Sequence, residues 1–424
     1  MQVLVVGGGG REHALAWGLS KSPEVKQIWT TSDNAGINRL ARYVGGAEKS
    51  IESLARWAQE QRIDLTVVGP EAPLSEGIVD AFRSRGLTIM GPTQQAAELE
   101  SSKVFAKETM VRAGIPTARF VVCDTSTQAK QAVRQLGAPV VIKADGLAAG
   151  KGVSICHTVT EADACIVAMM EERLHGEAGS RVVVEEYLTG EEVSVLAFVA
   201  GEEVILMPPC QDHKTVWEDD RGPNTGGMGA YTPVPAVHEA LLEDIRQRIL
   251  LPIVRTMANM GRPYSGVLYA GLMLTDRGPH VLEFNCRFGD PETQVIIPRL
   301  ESSLAEVLWA VATDRLSETK VRWNGHAAVC VVLASKGYPG SYRVGLPISG
   351  LEKAAAYPCV QIFHAGTRRE GDTVVTAGGR VLGVTAWADD IKQAVDTAYA
   401  AANAIEFPGK HCRRDIARKA LIRQ

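Results

Sequence analysis

The sequence predicts a multidomain protein of mixed α/β and α+β class, with a parallel α/β domain first and a small α+β domain at the C-terminus. Three observations carry this reading. Apolar runs alternate with helical stretches through the first 100 residues, a glycine-rich hairpin carrying lysines follows, and after Asn324 the pattern changes to short strands and turns.

Residues 3–6 form an apolar run closed by Gly7-Gly8-Gly9-Gly10, a helical stretch covers 11–20, and a second apolar run covers 27–31. Strand, glycine turn, helix and strand make a βαβ unit. The rhythm continues with a helix over 51–61, a strand over 64–68, a helix over 76–85 and a strand over 87–90. Such alternation implies a parallel sheet covered by helices. Gly69-Pro70-Glu71-Ala72-Pro73 and Gly91-Pro92-Thr93 then fall past the carboxyl ends of strands, where open α/β sheets place ligands. One helix over 98–113, closed by Gly114, leads out of this region. Strands are expected at 120–123, 139–144, 153–157 and 181–184, with helices over 127–136 and 161–173. Next come a strand at 193–199, a polar glycine-rich loop over 211–229, a helix over 238–260 and a strand pair at 266–275 and 279–284. The final part has a Gly378-Gly379 turn and a closing helix over 389–405. Domain bounds are expected at 1–102, 103–325 and 326–424.

The chain of 424 residues has 45 Lys and Arg against 49 Asp and Glu, and 46% hydrophobic residues, so it can bury real cores. A net charge of −4 argues against nucleic acid as a partner, since phosphate-backbone binders show a basic excess. Eight cysteines include no Cys-x-x-Cys pair, which leaves zinc-ribbon and thioredoxin chemistry unsupported. No apolar run approaches the roughly 18 residues of a membrane span and no signal peptide is evident, so no membrane partner and a cytoplasmic location are expected.

Gly7-Gly8-Gly9-Gly10-Arg11-Glu12-His13 resembles the start of a dinucleotide fingerprint, but the third glycine position holds Glu12 or His13. The run is either a phosphate nest at a helix start or a tight turn. The loop Asp145-Gly146-Leu147-Ala148-Ala149-Gly150-Lys151-Gly152-Val153 fails as a Walker motif, because three residues separate Gly146 from Gly150 and Gly152 stands where Ser or Thr is required. A glycine hairpin with Lys143 before it and Lys151 inside it still suits nucleotide phosphates. Glu185-Glu186-Tyr187-Leu188 follows an apolar strand, where backbone groups can pair with an adenine edge and Glu192 with ribose hydroxyls; a solvated strand end is the alternative. Glu283 and Asn285 alternate on one strand, so their oxygens can meet one hard cation. Arg287-Phe288-Gly289-Asp290-Pro291-Glu292 adds a guanidinium and two carboxylates, which need either a salt-bridge network or an active site around them.

Those motifs, with Gln211-Asp212-His213-Lys214 and Gly222-Pro223-Asn224-Thr225-Gly226-Gly227-Met228-Gly229, closely resemble the phosphoribosylamine–glycine ligase family of ATP-grasp enzymes from end to end. The resemblance implies a parallel α/β domain preceding the ATP-grasp domain, a mobile lid at about 120–190, and the C-terminal α+β domain. It implies ATP-dependent joining of glycine to 5-phosphoribosylamine in purine synthesis, through glycyl phosphate, with Mg²⁺ or Mn²⁺ as cofactor. Lys103 and Lys143 look like phosphate contacts, Gly146, Gly150, Lys151 and Gly152 like the flap, and Glu185, Glu186, Leu188 and Glu192 like adenine and ribose contacts. Glu283 and Asn285 resemble the metal ligands. Arg287, Lys143 and Asp290 are expected to serve the reacting groups, with Arg287 gripping the glycine carboxylate and Asp212 and Lys214 contacting substrate. Gly9, Gly10, Asn34, Gly36, Pro70 and Glu71 should shape the phosphoribosylamine side, and neighbouring pathway enzymes are expected as transient partners. Two departures stand out: Thr215 replaces the family's Arg after Asp-His-Lys, removing a cation from the expected site, and His175 replaces an aromatic Phe. An ATP-grasp ligase or carboxylase for another acid and amine, and a noncatalytic relative, stay open as alternatives; a nicotinamide oxidoreductase is disfavoured by the incomplete glycine fingerprint.

Overall fold

The computed structural model describes residues 1–147, 152–174 and 176–423. The first sheet is five-stranded and parallel, in the order Arg42–Tyr43, Gln27–Thr30, Gln2–Val6, Leu65–Val68, Ile89–Met90. The order reverses between Gln2–Val6 and Leu65–Val68, so Gly7 and Gly69 lie together at a topological switch point, where a crevice opens. Glu12, on the Gly10–Ser20 helix, fills the space between them; a Cβ on Gly69 would stand 1.9 Å from its Oε1. The glycine is needed there for that close approach.

The helix expected over 98–113 is two helices, Gln94–Ser101 and Lys103–Ala113. Ser102 between them is extended, its Oγ accepts the Phe105 N–H at 3.1 Å, and it donates to Asp145 Oδ1 at 3.0 Å. A serine cap with a distant aspartate partner breaks the helix where apolar periodicity alone shows no break. The break places Lys103 at the head of a helix, facing the base of the glycine hairpin: its Nζ donates to Gly146 O at 3.1 Å.

Two antiparallel sheets follow. Phe120–Cys123, Val182–Glu186, Val140–Ala144 and Val153–Cys156 form one, backed by the Ser126–Leu136 and Val159–Ile166 helices. Glu203–Leu206, Glu191–Ala200, Ser265–Thr275 and Gly278–Asn285 form the other. The expected polar loop over 211–229 instead contains three strands, Gln211–Asp212, Thr215–Trp217 and Arg221–Asn224, and leads into Gly229–Thr232. Strands this short, rich in glycine and broken by a register shift, leave no period to read.

The last sheet crosses the boundary expected at 326. Its order is Gln211–Asp212, Gly229–Thr232, Ala327–Ala334, Arg380–Ala388, Val360–His364, so two of its strands come from the middle of the chain. The C-terminal tail braces this junction. Arg413, 1% exposed, binds Thr215 Oγ1 at 2.9 Å, Asp220 at 3.1 Å and Asp415 at 2.7 Å. His213 Nε2 accepts the Ala417 N–H at 3.1 Å. Residues 213 and 215 therefore face the tail while the alternate positions 212 and 214 face the cleft. Thr215 consequently removes no cation from the cleft; the guanidinium beside it comes from Arg413.

The first sheet meets the last one through histidines. His13 Nδ1 accepts the His364 N–H at 2.7 Å, and His364 Nδ1 lies 3.0 Å from Thr367 Oγ1. Asn34 Nδ2 donates to Gly8 O, His364 O and Ala365 O. Burial holds His364 and His213 down to about 4 and lowers His13 further below its usual range. No helix among the described residues is long and apolar enough to cross a membrane.

Two outcomes follow from these contacts. Between about pH 6.5 and 4 the unfolded chain binds protons that the folded histidines refuse, so thermal stability should fall as pH drops through that window and level off above it. Each histidine accounts for on the order of 2 kcal/mol at the acid end, so a melting series on His364→Gln should show a smaller acid loss than wild type. Arg413→Leu leaves the part-buried Asp415 without its cation and should cost roughly 1.5–3 kcal/mol in denaturant unfolding.

Candidate active site

The Gly278–Asn285 strand carries Glu283 and Asn285 on one face. Gly271 lies opposite Glu283 in the ladder, and a Cβ there would come within 3.3 Å of Glu283 Cγ. Burial favours a protonated Glu283, but Lys214, Lys143, Lys103 and Arg287 outweigh it and hold its pKa below the usual value. An ionised carboxylate ringed by four cations is the electrostatic centre of the cleft. Asn285 Oδ1 accepts from Arg287 Nη2 at 3.3 Å. No cluster of three acidic, histidine or cysteine ligands that could hold a metal occurs among the described residues.

Arg287 is held on several sides. Its Nε meets Glu71 at 3.2 Å, its Nη2 meets Glu100 at 3.0 Å, and its Nη1 donates to Phe288 O at 3.2 Å. Burial raises the Glu100 pKa more than Arg287 lowers it, whereas at Glu71 burial is outweighed by Arg287, a backbone N–H and Arg11 together and the pKa falls. Glu100 has no sequence signal, because a helix period marks it only as polar.

Behind the Gly278–Asn285 strand lies a buried triad. Glu185 Oε2 takes Lys107 at 3.0 Å and Lys143 at 3.1 Å, and Lys143 also donates to Leu282 O at 2.9 Å. Glu185 Oε1 is buried without a partner among the described residues. Lys107, brought down to about 8 mainly by burial, is missing from the sequence reading, although its place one helical turn after Lys103 puts both on one face. Leu188 packs with Ala118, Met273 and Leu282 into a small apolar shelf beside this triad. Glu186 alternates outward to Arg119 at 2.7 Å, so only its backbone faces the shelf.

On the other wall, Lys214 Nζ meets Glu192 at 2.8 Å, joining an expected ribose contact to an expected substrate contact. Burial, offset by Lys214 and reinforced by Glu292 and Glu192, pushes Asp212 up to about 7. Tyr269 OH donates to Glu292 Oε1 at 3.0 Å and lies 2.8 Å from Ser194 Oγ.

The glycine run is occupied from within. Glu12 Oε2 accepts the Gly9 N–H at 2.5 Å, and Asp290 lies against the run, its Oδ2 3.4 Å from where a Cβ on Gly9 would stand. Asp290 is in turn held by Gln294 at 2.7 Å and by Arg380, 3.1 Å away, from the last sheet. The chain's own carboxylates thus sit where the sequence offered a phosphate nest. Gly10 lies against Gln294 and Asp290; Asn34 and Gly36 are buried against His13 and His364, so their polar groups serve the junction between sheets. Pro70 caps the Glu71–Ser75 helix and aims Glu71 at Arg287. Gly152 closes the hairpin by accepting the Ala144 N–H at 2.8 Å, while Gly150, Lys151 and His175 lie outside the described residues.

Sequence models of phosphoribosylglycinamide synthetase match in three parts: the N domain over 1–100, the ATP-grasp (A) domain over 101–293 and the C domain over 328–419. A phosphoribosylamine–glycine ligase of Vibrio cholerae serotype O1 is 48% identical, with 100% of this chain and 99% of that protein covered. One of Caldanaerobacter subterraneus subsp. tengcongensis is also 48% identical, covering 98% and 99%. The crystal structure of phosphoribosylamine–glycine ligase from Thermotoga maritima superposes with a TM-score of 0.83 at 33% identity, over 98% of this chain and 100% of that one. A biotin carboxylase–β,γ-ATP complex from Campylobacter jejuni, at 14% identity and TM-score 0.74 over 97% and 92% of the two chains, shares the fold. With matches over its whole length and a cleft built around the same motifs, the chain belongs to the phosphoribosylamine–glycine ligase family of ATP-grasp enzymes.

Proposed function

We propose that this enzyme of purine biosynthesis joins glycine to 5-phosphoribosylamine at the expense of ATP, giving glycinamide ribonucleotide, ADP and phosphate. The observation that carries the proposal is the convergence of Lys103, Lys143, Lys214 and Arg287 on the carboxylate Glu283. A cleft in which four cations converge suits a triphosphate and a second carboxylate.

The glycine carboxylate attacks the γ-phosphorus and ADP leaves, which turns a carboxylate oxygen into a leaving group. The ribosylamine nitrogen then attacks the carbonyl carbon of glycyl phosphate, phosphate departs, and the nitrogen loses a proton. Lys103 and Lys143 hold the phosphates, with Gly146 and Gly152 at the base of the flap; Gly150 and Lys151, expected in the same flap, lie outside the described residues. Phosphoryl transfer of this kind depends mainly on positioning and charge neutralisation. Adenine lies on the shelf of Leu188, Ala118, Met273 and Leu282, and the unpartnered Glu185 Oε1 faces its donors. Glu186 contributes its backbone, and Glu192 reaches the ribose.

Arg287 takes the glycine carboxylate and then the acyl phosphate, since its planar fork matches both. Asp212 and Lys214 contact the substrate ammonium and phosphate, and Asp290 lies between the glycine run and the reacting centre. Pro70 and Glu71, with Gly9 and Gly10, border the ribosylamine side, while Asn34 and Gly36 fix that wall. Glu283 and Asn285 offer two hard oxygens on one face, one of them ionised, which fits a Mg²⁺ or Mn²⁺ ion shared with nucleotide phosphates. When bound, the ion neutralises phosphate charge. A cytoplasmic setting and transient contact with enzymes of the same pathway fit this chemistry.

ADP release should require glycine and freshly generated phosphoribosylamine together, and Arg287→Ala should slow it by roughly 10²–10³-fold. ADP release indifferent to either substrate would move the assignment to another acid and amine. In a metal titration, Glu283→Gln should raise the divalent ion needed for half-maximal rate at least roughly tenfold.

A further inference from the structure

Arg287 meets two carboxylates of unlike standing. Glu100, on the Gln94–Ser101 helix, has an 8% exposed side chain and uses both oxygens: Oε1 meets Arg287 Nη2 at 3.0 Å and Oε2 accepts the Cys286 N–H at 2.7 Å. It therefore fixes the guanidinium and the backbone turn that follows Asn285 as one unit. Glu71, at the start of the Glu71–Ser75 helix, has a 30% exposed side chain and reaches Arg287 Nε through a single oxygen at 3.2 Å. That helix belongs to the parallel α/β part of the chain, whereas Arg287 follows a strand of an antiparallel sheet, so the contact spans two layers of the fold.

We infer that the two glutamates divide the work on Arg287: Glu100 is a fixed positioning residue, and Glu71 is a place-holder whose carboxylate occupies the guanidinium until the substrate carboxylate displaces it. The inference rests on the glycine-ligase reading of the cleft and assigns the partners of Arg287 within it. A guanidinium buried between two acids binds an incoming carboxylate only if one of them yields. The acid that yields is the one with greater access to water and a single oxygen on the guanidinium, because water can replace that interaction when it leaves. Displacement also frees Glu71 beside the ribosylamine side of the cleft, where an amine must be received.

The test measures glycine KM, kcat and ATP KM for wild type, Glu71→Gln and Glu100→Gln, with thermal unfolding of each and calorimetric binding of glycine in the presence of Mg²⁺ and a non-hydrolysable ATP analogue. Glu71→Gln removes the competing charge, so glycine should bind about three- to tenfold more tightly and its KM should fall. Glu100→Gln presents an NH2 group to either Arg287 or the Cys286 N–H, so glycine KM should rise at least tenfold and kcat should fall, with ATP KM unchanged. If Glu100→Gln does not fold, glycine binding to Glu71→Gln decides alone. Weaker glycine binding in Glu71→Gln, or loss of melting temperature in both variants with glycine parameters unmoved, would overturn the division of labour while leaving the ligase reading in place. A wild-type enzyme whose ADP release ignores glycine would overturn both.

Discussion

Everything around the cleft answers one electrostatic demand: five cations, Lys103, Lys107, Lys143, Lys214 and Arg287, line one partly desolvated cleft. Packed without counter-charge, such a group would cost several kcal/mol per ion. The fold supplies carboxylates from separate layers: Glu185 for Lys107 and Lys143, Glu192 for Lys214, and Glu71 and Glu100 for Arg287. Glu283 is left to stand among Lys103, Lys143, Lys214 and Arg287, held in its ionised form by them. Each pairing binds a different element to the central strands, so the arrangement that prepares the cleft for a polyanion also holds the layers together.

This explains which parts of the chain were legible. Most of the first sheet could be read because Gln2–Val6 and Leu65–Val68 are buried runs and the Ile51–Glu60 helix is amphipathic, whereas the exposed two-residue strand Arg42–Tyr43 leaves no period to read. Lys143, Glu283, Asn285 and Arg287 were legible because chemistry-bearing residues stand in or beside strands at fixed alternation. Lys107, Glu100 and Arg380 escaped, since each matters through a partner more than 75 positions away that no local pattern announces. The strands within 211–229 escaped for a related reason: their pairing comes from distant segments, and propensity is silent in strands of two to four residues.

The glycine run shows a subtler limit. Gly7 to Gly10 lead into a helix start of the kind that can hold an anion, but the anions found there are Glu12 and Asp290. A nest does not specify its guest, and a carboxylate of the same chain needs no binding entropy to occupy it. Thr215 carries the complementary lesson. A cation absent from the sequence at one position can be present in space from another, here Arg413 at 2.9 Å.

The sheet that joins Gln211–Asp212 and Gly229–Thr232 to Ala327–Ala334 and Arg380–Ala388 also sets an order of assembly during synthesis. The parallel sheet and the 120–186 sheet are complete in sequence long before the ribosome reaches the last strands, so both can fold while the chain is still growing. Gly229–Thr232 must wait about a hundred residues for its neighbour, and the wall bearing Asp212 and Lys214 is not braced until Arg413 emerges. The part of the cleft built on the 120–186 sheet can therefore form before the wall that completes it, and the nascent enzyme gains its full cleft only when nearly all of the chain has left the ribosome.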